Sequence, residues 1–233
     1  MGNGANSQYV DKLIRSHNLI SEQMDSPRLH ILLTNLDRII VNDIKGEVVE
    51  FGCYVGTTSL FIRRLLIKHS SSKEFHVYDS FSGLPDKTIE DASVAGIGFK
   101  AGELKATKRD LVRNFKKAGL KPPVIHKGWF NELKPKDLPQ NISFAFIDGD
   151  FYNSTTDSLE LIWPLLSNGG VIIVDDYMRS NLPGVYRAIS NYFANKDARI
   201  THQKNLAIIQ KNTPNNLNTA AGKALRPDQL WHP

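Results

Sequence analysis

Apolar residues recur along this chain in two rhythms, and the rhythms alternate. Leu29, Leu32, Leu33, Leu36, Ile39 and Ile40 fall at helical spacing, and Ser26-Pro27 reads as an N-cap followed by a first helical residue. The pattern predicts an amphipathic helix over about 27–43. Short, nearly continuous apolar runs then alternate with helical segments. Gly46–Gly52 is a first strand, Thr57–His69 a helix, and Phe75–Asp79 a second strand. Thr107–Ala118 is helical and stops at Gly119, and Pro123–His126 is a third strand. Phe144–Ile147 and Gly169–Val174 form a fourth and fifth strand with a helical segment between them. Pro183 starts a helix that runs to about Ala194. Arg199–Gln203 and Leu206–Gln210, joined by Lys204-Asn205, read as a terminal hairpin. Alternating strands and helices followed by two consecutive strands predict an α/β fold. The sheet is doubly wound and seven-stranded, with an antiparallel hairpin at one edge.

Three segments fall outside this rhythm. Residues 1–25 are polar and weakly patterned and read as an N-terminal arm. Residues 26–211 carry the folded domain. Residues 212–233 lack periodicity and read as a C-terminal tail. Ser80 to about Gly102 is rich in turn residues and long for a connection, which suggests a lid over residues 82–102.

Composition narrows the class. A chain of 233 residues fits one α/β domain with a full core. The single cysteine, Cys53, excludes an intrachain disulfide framework and is compatible with a reducing compartment. The N-terminus shows no secretory pattern, and no apolar run is long enough to span a bilayer. A cytoplasmic protein without a membrane partner is the expectation. The net charge of +5 is spread along the chain. Its densest cluster, Lys105, Lys108, Arg109, Arg113, Lys116 and Lys117, sits on a predicted helix and reads as a solvated face, so no nucleic-acid partner is expected.

The chemistry concentrates at the strand ends. Phe144-Ala-Phe-Ile-Asp148-Gly-Asp150 and Val171-Ile-Ile-Val-Asp175-Asp176 flank one βαβ unit, so both strands end at one edge of the sheet. Four carboxylates gathered there repel one another unless protons or a cation neutralise them, and an all-oxygen set suits a hard ion such as Mg²⁺. The first strand ends in Glu50-Phe-Gly52-Cys-Tyr54-Val-Gly56-Thr-Thr58-Ser59. Glycines at a strand-to-helix turn let backbone approach a ligand closely. The spacing is G-x-x-x-G, not the G-x-G-x-x-G of dinucleotide loops. Glu50 before the loop disfavours pyrophosphate and suits an ammonium or sulfonium group. Asp79, at the end of the second strand, is placed to take ribose hydroxyls. Together these features favour S-adenosylmethionine.

Five blocks carry a family resemblance. They are Val49–Gly52 with Gly56, Tyr78-Asp-Ser-Phe-Ser-Gly-Leu-Pro85, Lys127-Gly-Trp-Phe130, Ile147–Thr155, and Pro164–Tyr177. In order and content the chain resembles the macrocin O-methyltransferase (TylF-type) family over about residues 45–210. The resemblance implies a class I methyltransferase fold, bound S-adenosylmethionine and Mg²⁺, with Asp148, Asp175 and Asp176 as metal ligands. The cofactor contacts expected are Glu50, Gly52, Tyr54, Gly56, Thr58 and Ser59 along the loop. Asp79 and Ser80, the turn Gly128-Trp129-Phe130, and Asp148 complete the set. Tyr54-Val55 departs from the Arg and Gly often found in relatives.

The implied reaction is methyl transfer to a hydroxyl of a small molecule, a sugar or a natural-product intermediate. Asp150, beside Asp148, is the expected general base, with His126 and His202 as rivals. Two other readings compete: a catechol-like phenol O-methyltransferase, and a non-catalytic cofactor-binding protein on the same scaffold. Association into a homodimer is left open by the sequence.

Overall fold

The structure, a computed structural model, describes residues 3–96 and 98–212. The tail expected over 212–233 therefore lies outside the described residues from 213 onward. The elements follow the order α1 (Asn3–Arg15), α2 (Ser26–Val41), β1 (Glu47–Phe51), α3 (Thr57–Lys68), β2 (Phe75–Asp79), α4 (Lys108–Lys117) and β3 (Val124–Lys127). β4 (Ile142–Ile147), α5 (Tyr152–Leu165), β5 (Leu166–Val174), α6 (Pro183–Phe193), β6 (Ala198–Gln203) and β7 (Leu206–Lys211) complete the domain. The seven strands form one sheet in the order β3-β2-β1-β4-β5-β7-β6. β7 runs antiparallel between β5 and β6, and the other pairings are parallel.

Successive side chains on a strand point to opposite faces. Val48, Val77, Phe144, Phe146 and Ile173 therefore meet α1–α4 on one face. Val49, Phe51, Ala145, Ile147, Ile172 and Val174 meet α5 and α6 on the other. The register is nearly level at the carboxyl ends, pairing Tyr78 with Phe51, Phe51 with Ile147, and Ile147 with Val174. Asp79, Gly52, Asp148 and Asp175 thus leave the sheet side by side.

Two local expectations change. The first 25 residues contain a helix in place of an arm. Val10 and Leu13 of α1 are buried in the core, with Tyr9 and Ile14 packed against it. This short apolar stripe is set among polar neighbours, and its packing on α2 and α3 stabilises the helix more than its propensity does. The N-cap of α2 is Asp25, whose carboxylate accepts from Arg28 N at 2.8 Å, so Ser26 and Pro27 fall inside the first turn.

An aromatic stack lies near the β3 edge. His126 stacks on Tyr78 with ring centroids 4.4 Å apart, and its Nε2 lies 3.1 Å from His76 Nδ1. Burial, then the charge of His76, hold the His126 pKa below its usual value. The unfolded chain, with a pKa of about 6.5, takes up this proton first. The stack therefore favours folding above about pH 6.5 and loses that contribution as pH falls further. His126→Phe should remove this component. Wild-type stability minus that of the variant should decline between pH 7 and 5, and a difference independent of pH would contradict the assignment.

Candidate active site

The level strand ends open into a cavity of about 390 Å³. One wall is the loop after β1. Gly52 has φ +84°, and a Cβ there would lie 2.1 Å from the carbonyl oxygen of Asp148. A side chain at Gly52 would therefore push the β1 and β4 ends apart. Cys53 N and Tyr54 N donate to Asp79 Oδ2 at 2.8 and 3.3 Å, and Phe81 N donates to Oδ1 at 2.7 Å. Asp79 thereby fixes the glycine loop as well as facing the cavity. Gly128 N donates to the carbonyl of Asp79, which holds the Trp129-Phe130 turn beside it.

The acids line the same cavity beside this loop. One carboxylate oxygen each of Asp148, Asp150 and Asp176 lies within 4.8 Å of the others. Asp150 and Asp176 adopt φ of +60° and +59°, a left-handed conformation costly for most side chains but tolerated by Asp. Such strain persists only where the surrounding structure holds it. Burial, then the neighbouring carboxylates Asp175 and Asp150, push the Asp148 pKa well above the carboxylate range. Burial and Asp176 do the same to Asp150. Asp175 is pushed up to about 6 by burial and Asp176, against the opposing charge of Arg28.

Asp175 is the acid whose surroundings differ from those expected of a ligand. Arg28 Nη1 reaches its two oxygens at 2.9 and 2.7 Å, and Asp176 N donates to Oδ1 at 2.8 Å. Arg28 also donates to Asp25 and to the carbonyl of Gln23. Asp176 receives Arg179 Nη1 at 3.0 Å. The sequence reading did not single out either arginine. Arg28 interrupts the apolar face of α2, but its partner lies 147 residues away and only the fold reveals it.

The sequence model of the Macrocin-O-methyltransferase (TylF) family matches residues 16–208. The chain belongs to this family. It is 31% identical over 156 residues to the 8-demethyl-8-(2,3-dimethoxy-alpha-L-rhamnosyl)-tetracenomycin-C 4'-O-methyltransferase of Streptomyces olivaceus, covering 64% of this chain and 60% of the relative. It is 30% identical over 178 residues to the demethyldecarbamoylnovobiocin O-methyltransferase of Streptomyces niveus, covering 73% and 66%. The matches thus span roughly 60–66% of the length of these curated relatives. The solved structure of the O-methyltransferase NovP superimposes with a TM-score of 0.72 at 23% identity, covering 89% of this chain and 100% of NovP. A putative caffeoyl-CoA O-methyltransferase from Staphylococcus aureus gives 0.56 at 14% identity, covering 89% and 100%. The fold is that of the class I methyltransferases.

Of the expected cofactor residues, Gly52, Tyr54, Asp79, Ser80, Trp129, Phe130 and Asp148 line the cavity. Glu50, Gly56, Thr58, Ser59 and Gly128 are not among its lining residues. Glu50 is 1% exposed and accepts a hydrogen bond from Ser59 Oγ. Burial raises its pKa to about 8, with Ser59 opposing and Asp79 adding to the shift. Glu50 is therefore placed to hold the loop from beneath. Gly56 begins α3 at φ +90°, and a Cβ there would meet Leu111 of α4 at 2.4 Å. Neither rival base is on the cavity wall: His126 is in its stack, and His202 is on β6 near Tyr177. Gly83–Asp86, at the start of the segment expected to be a lid, do line it. The segment's two ends are pinned to each other. Leu84 N donates to Glu103 O and Gly102 N to Leu84 O, at 2.9 and 2.8 Å.

Proposed function

We propose that this chain transfers the methyl group of S-adenosylmethionine to a hydroxyl of a sugar or natural-product intermediate, with a hard divalent cation such as Mg²⁺ at the carboxylates. The observation carrying the reading is the approach of Asp148, Asp150 and Asp176 on the wall they share with the Gly52–Tyr54 loop. The donor set fits the ion: all ligands are oxygens, and mutual repulsion and burial already disfavour the charged acids.

In this reading Asp148, Asp150 and Asp176 would hold Mg²⁺. Asp175, a ligand by resemblance, could join them only if Arg28 released it. Bound Mg²⁺ would supply Lewis acidity, lowering the pKa of an acceptor hydroxyl. S-adenosylmethionine would supply the methyl on a sulfonium. Asp150 would offer one oxygen to the cluster and take the acceptor hydroxyl's proton on its second; the bond from the acceptor oxygen to the methyl carbon would replace the sulfur–methyl bond, whose electron pair stays on the departing S-adenosylhomocysteine. Asp79 gives three of its roughly four acceptor positions to loop amides and would keep one for a ribose hydroxyl. Trp129 and Phe130 give the base an apolar wall. The rest of the effect is positioning of two reactants in one cavity.

The names of the curated relatives support this acceptor class, and product analysis tests it. Labelled S-adenosylmethionine is incubated with a rhamnosylated aromatic polyketide and, separately, with a catechol. Label on the sugar of the glycoside, lost in excess EDTA, is the expected result. Methylation of the catechol alone, or transfer unaffected by EDTA, would reject the reading.

A further inference from the structure

The covering segment does more than close the cavity. Asp91 lies in its middle, in a short 3-10 turn (Ile89–Asp91), and is 3% exposed. Its Oδ1 accepts from Tyr152 N at 2.8 Å, and its Oδ2 accepts from Thr88 N at 2.9 Å and Thr88 Oγ1 at 3.2 Å. Tyr152 is the first residue of α5, two positions after Asp150. The unpaired amides and positive dipole end of that helix favour a buried carboxylate. Gly184, in the first turn of α6, makes room for it: a Cβ there would lie 1.8 Å from Asp91 Oδ1. Lys87, also in the covering segment, sits with Nζ 5.2 Å from the centre of the Phe151 ring. Both residues between Asp150 and the body of α5 are thus gripped by the cover.

We propose that Asp91 is a positioning residue for Asp150, tying the cover to the turn that presents the base. The inference rests on the proposed role of Asp150. The strained φ of Asp150 needs support from its surroundings, and the turn has little slack, with Phe151 N donating to Gly149 O at 2.6 Å. Asp91 holds the next free amide. When the cover lifts, the Tyr152 amide loses its acceptor and the Asp150 turn relaxes. When it seats, the carboxylate returns to the cluster.

A simple helix cap would affect stability alone, so the test reads ion affinity and local exchange. Mn²⁺ is titrated by electron paramagnetic resonance and S-adenosylhomocysteine by calorimetry. Three full-length proteins are compared: wild type, Asp91→Ala and Arg187→Gln. Arg187, on α6, donates to the carbonyls of Glu90 and Ala92, so its loss loosens the cover without freeing the Tyr152 amide. Asp91→Ala should weaken Mn²⁺ at least tenfold, leave S-adenosylhomocysteine within twofold, and speed hydrogen exchange across 150–154. Arg187→Gln should leave all three near wild type. Fast exchange in Asp91→Ala with unchanged Mn²⁺ affinity, or equal losses in both variants, overturns the proposal. If wild type binds no Mn²⁺, the metal reading fails. The exchange pattern then decides the coupling: faster 150–154 amides in Asp91→Ala alone support it, and any other pattern overturns it. If Asp91→Ala does not fold, Gly184→Ala, whose Cβ crowds both that carboxylate and the Tyr152 amide it holds, is judged by the same criteria.

Discussion

Asp148→Asn should abolish Mg²⁺-dependent methyl transfer and leave the protein as stable as wild type or more so. The two effects share one cause. Asp148 is pressed by burial and by the charges of Asp175, Asp150 and Asp176. Removing one of these like charges relieves repulsion in the folded state and deletes a ligand. The rate should fall on the order of 10²–10⁴-fold, the range for a lost catalytic proton or charge partner. The pH dependence follows with its sign. The folded pKa values of Asp148, Asp150 and Asp175 are raised above the unfolded value of about 3.9. Between that value and the folded ones the native state binds more protons, so the cluster makes stability fall as pH rises. For Asp175 the window reaches about pH 6, and Asp148 and Asp150 act in the same direction. His126 works in the opposite direction below about pH 6.5 and is separated by its own variant. Denaturation curves from pH 5 to 8 should show a smaller loss with rising pH in Asp148→Asn than in wild type. A variant that is both active and less stable would overturn this account of the cluster.

The largest loss of stability is expected for Arg28→Met. Its side chain is 10% exposed and that of Asp175 is 2% exposed, so the pair is nearly dry. Removing the guanidinium leaves a buried carboxylate without its counter-charge, a change that costs about 3–5 kcal/mol in comparable sites. For a domain of this size that is a melting temperature lower by roughly 6–20 °C. Arg28→Met with Asp175→Asn should recover much of the loss, because the stranded charge is gone. Excess Mg²⁺ should also raise the melting temperature of the single variant more than that of wild type, since Asp175 is freed to meet a cation. A melting temperature within 2 °C of wild type for Arg28→Met would mean that the pair contributes little.

The fold was legible because its cause is local. Five parallel strands, four of them buried, separated by helical spacing, leave few topologies once crossovers are right-handed. The register that levels Gly52, Asp148 and Asp175 follows from that topology, so the cavity could be placed before any side chain was seen. What escaped depends on distant partners. Val10 and Leu13 are two apolar residues in a polar stretch until α2 and α3 cover them. The bond that Glu50 accepts from Ser59 joins β1 to α3 nine residues on, and only the fold brings it about. Asp175 and Asp176 are neighbours in sequence with different partners. The chain turns at Asp176 (φ +59°), so one carboxylate meets Arg28 while the other meets Asp148 and Asp150. Asp91 lies in a connection whose composition suggests a loose cover, and its partners are amides, which leave no trace in a sequence pattern.

The central claim is that cofactor and cation share one cavity, and nuclear relaxation tests it most directly. S-adenosylhomocysteine carrying ¹³C beside sulfur is bound to the protein, and Mn²⁺ is added. The account predicts strong paramagnetic relaxation of the labelled carbon in wild type, lost in Asp148→Asn while the ligand stays bound. Bound S-adenosylhomocysteine whose carbon relaxes at the same rate with and without Mn²⁺ would contradict it.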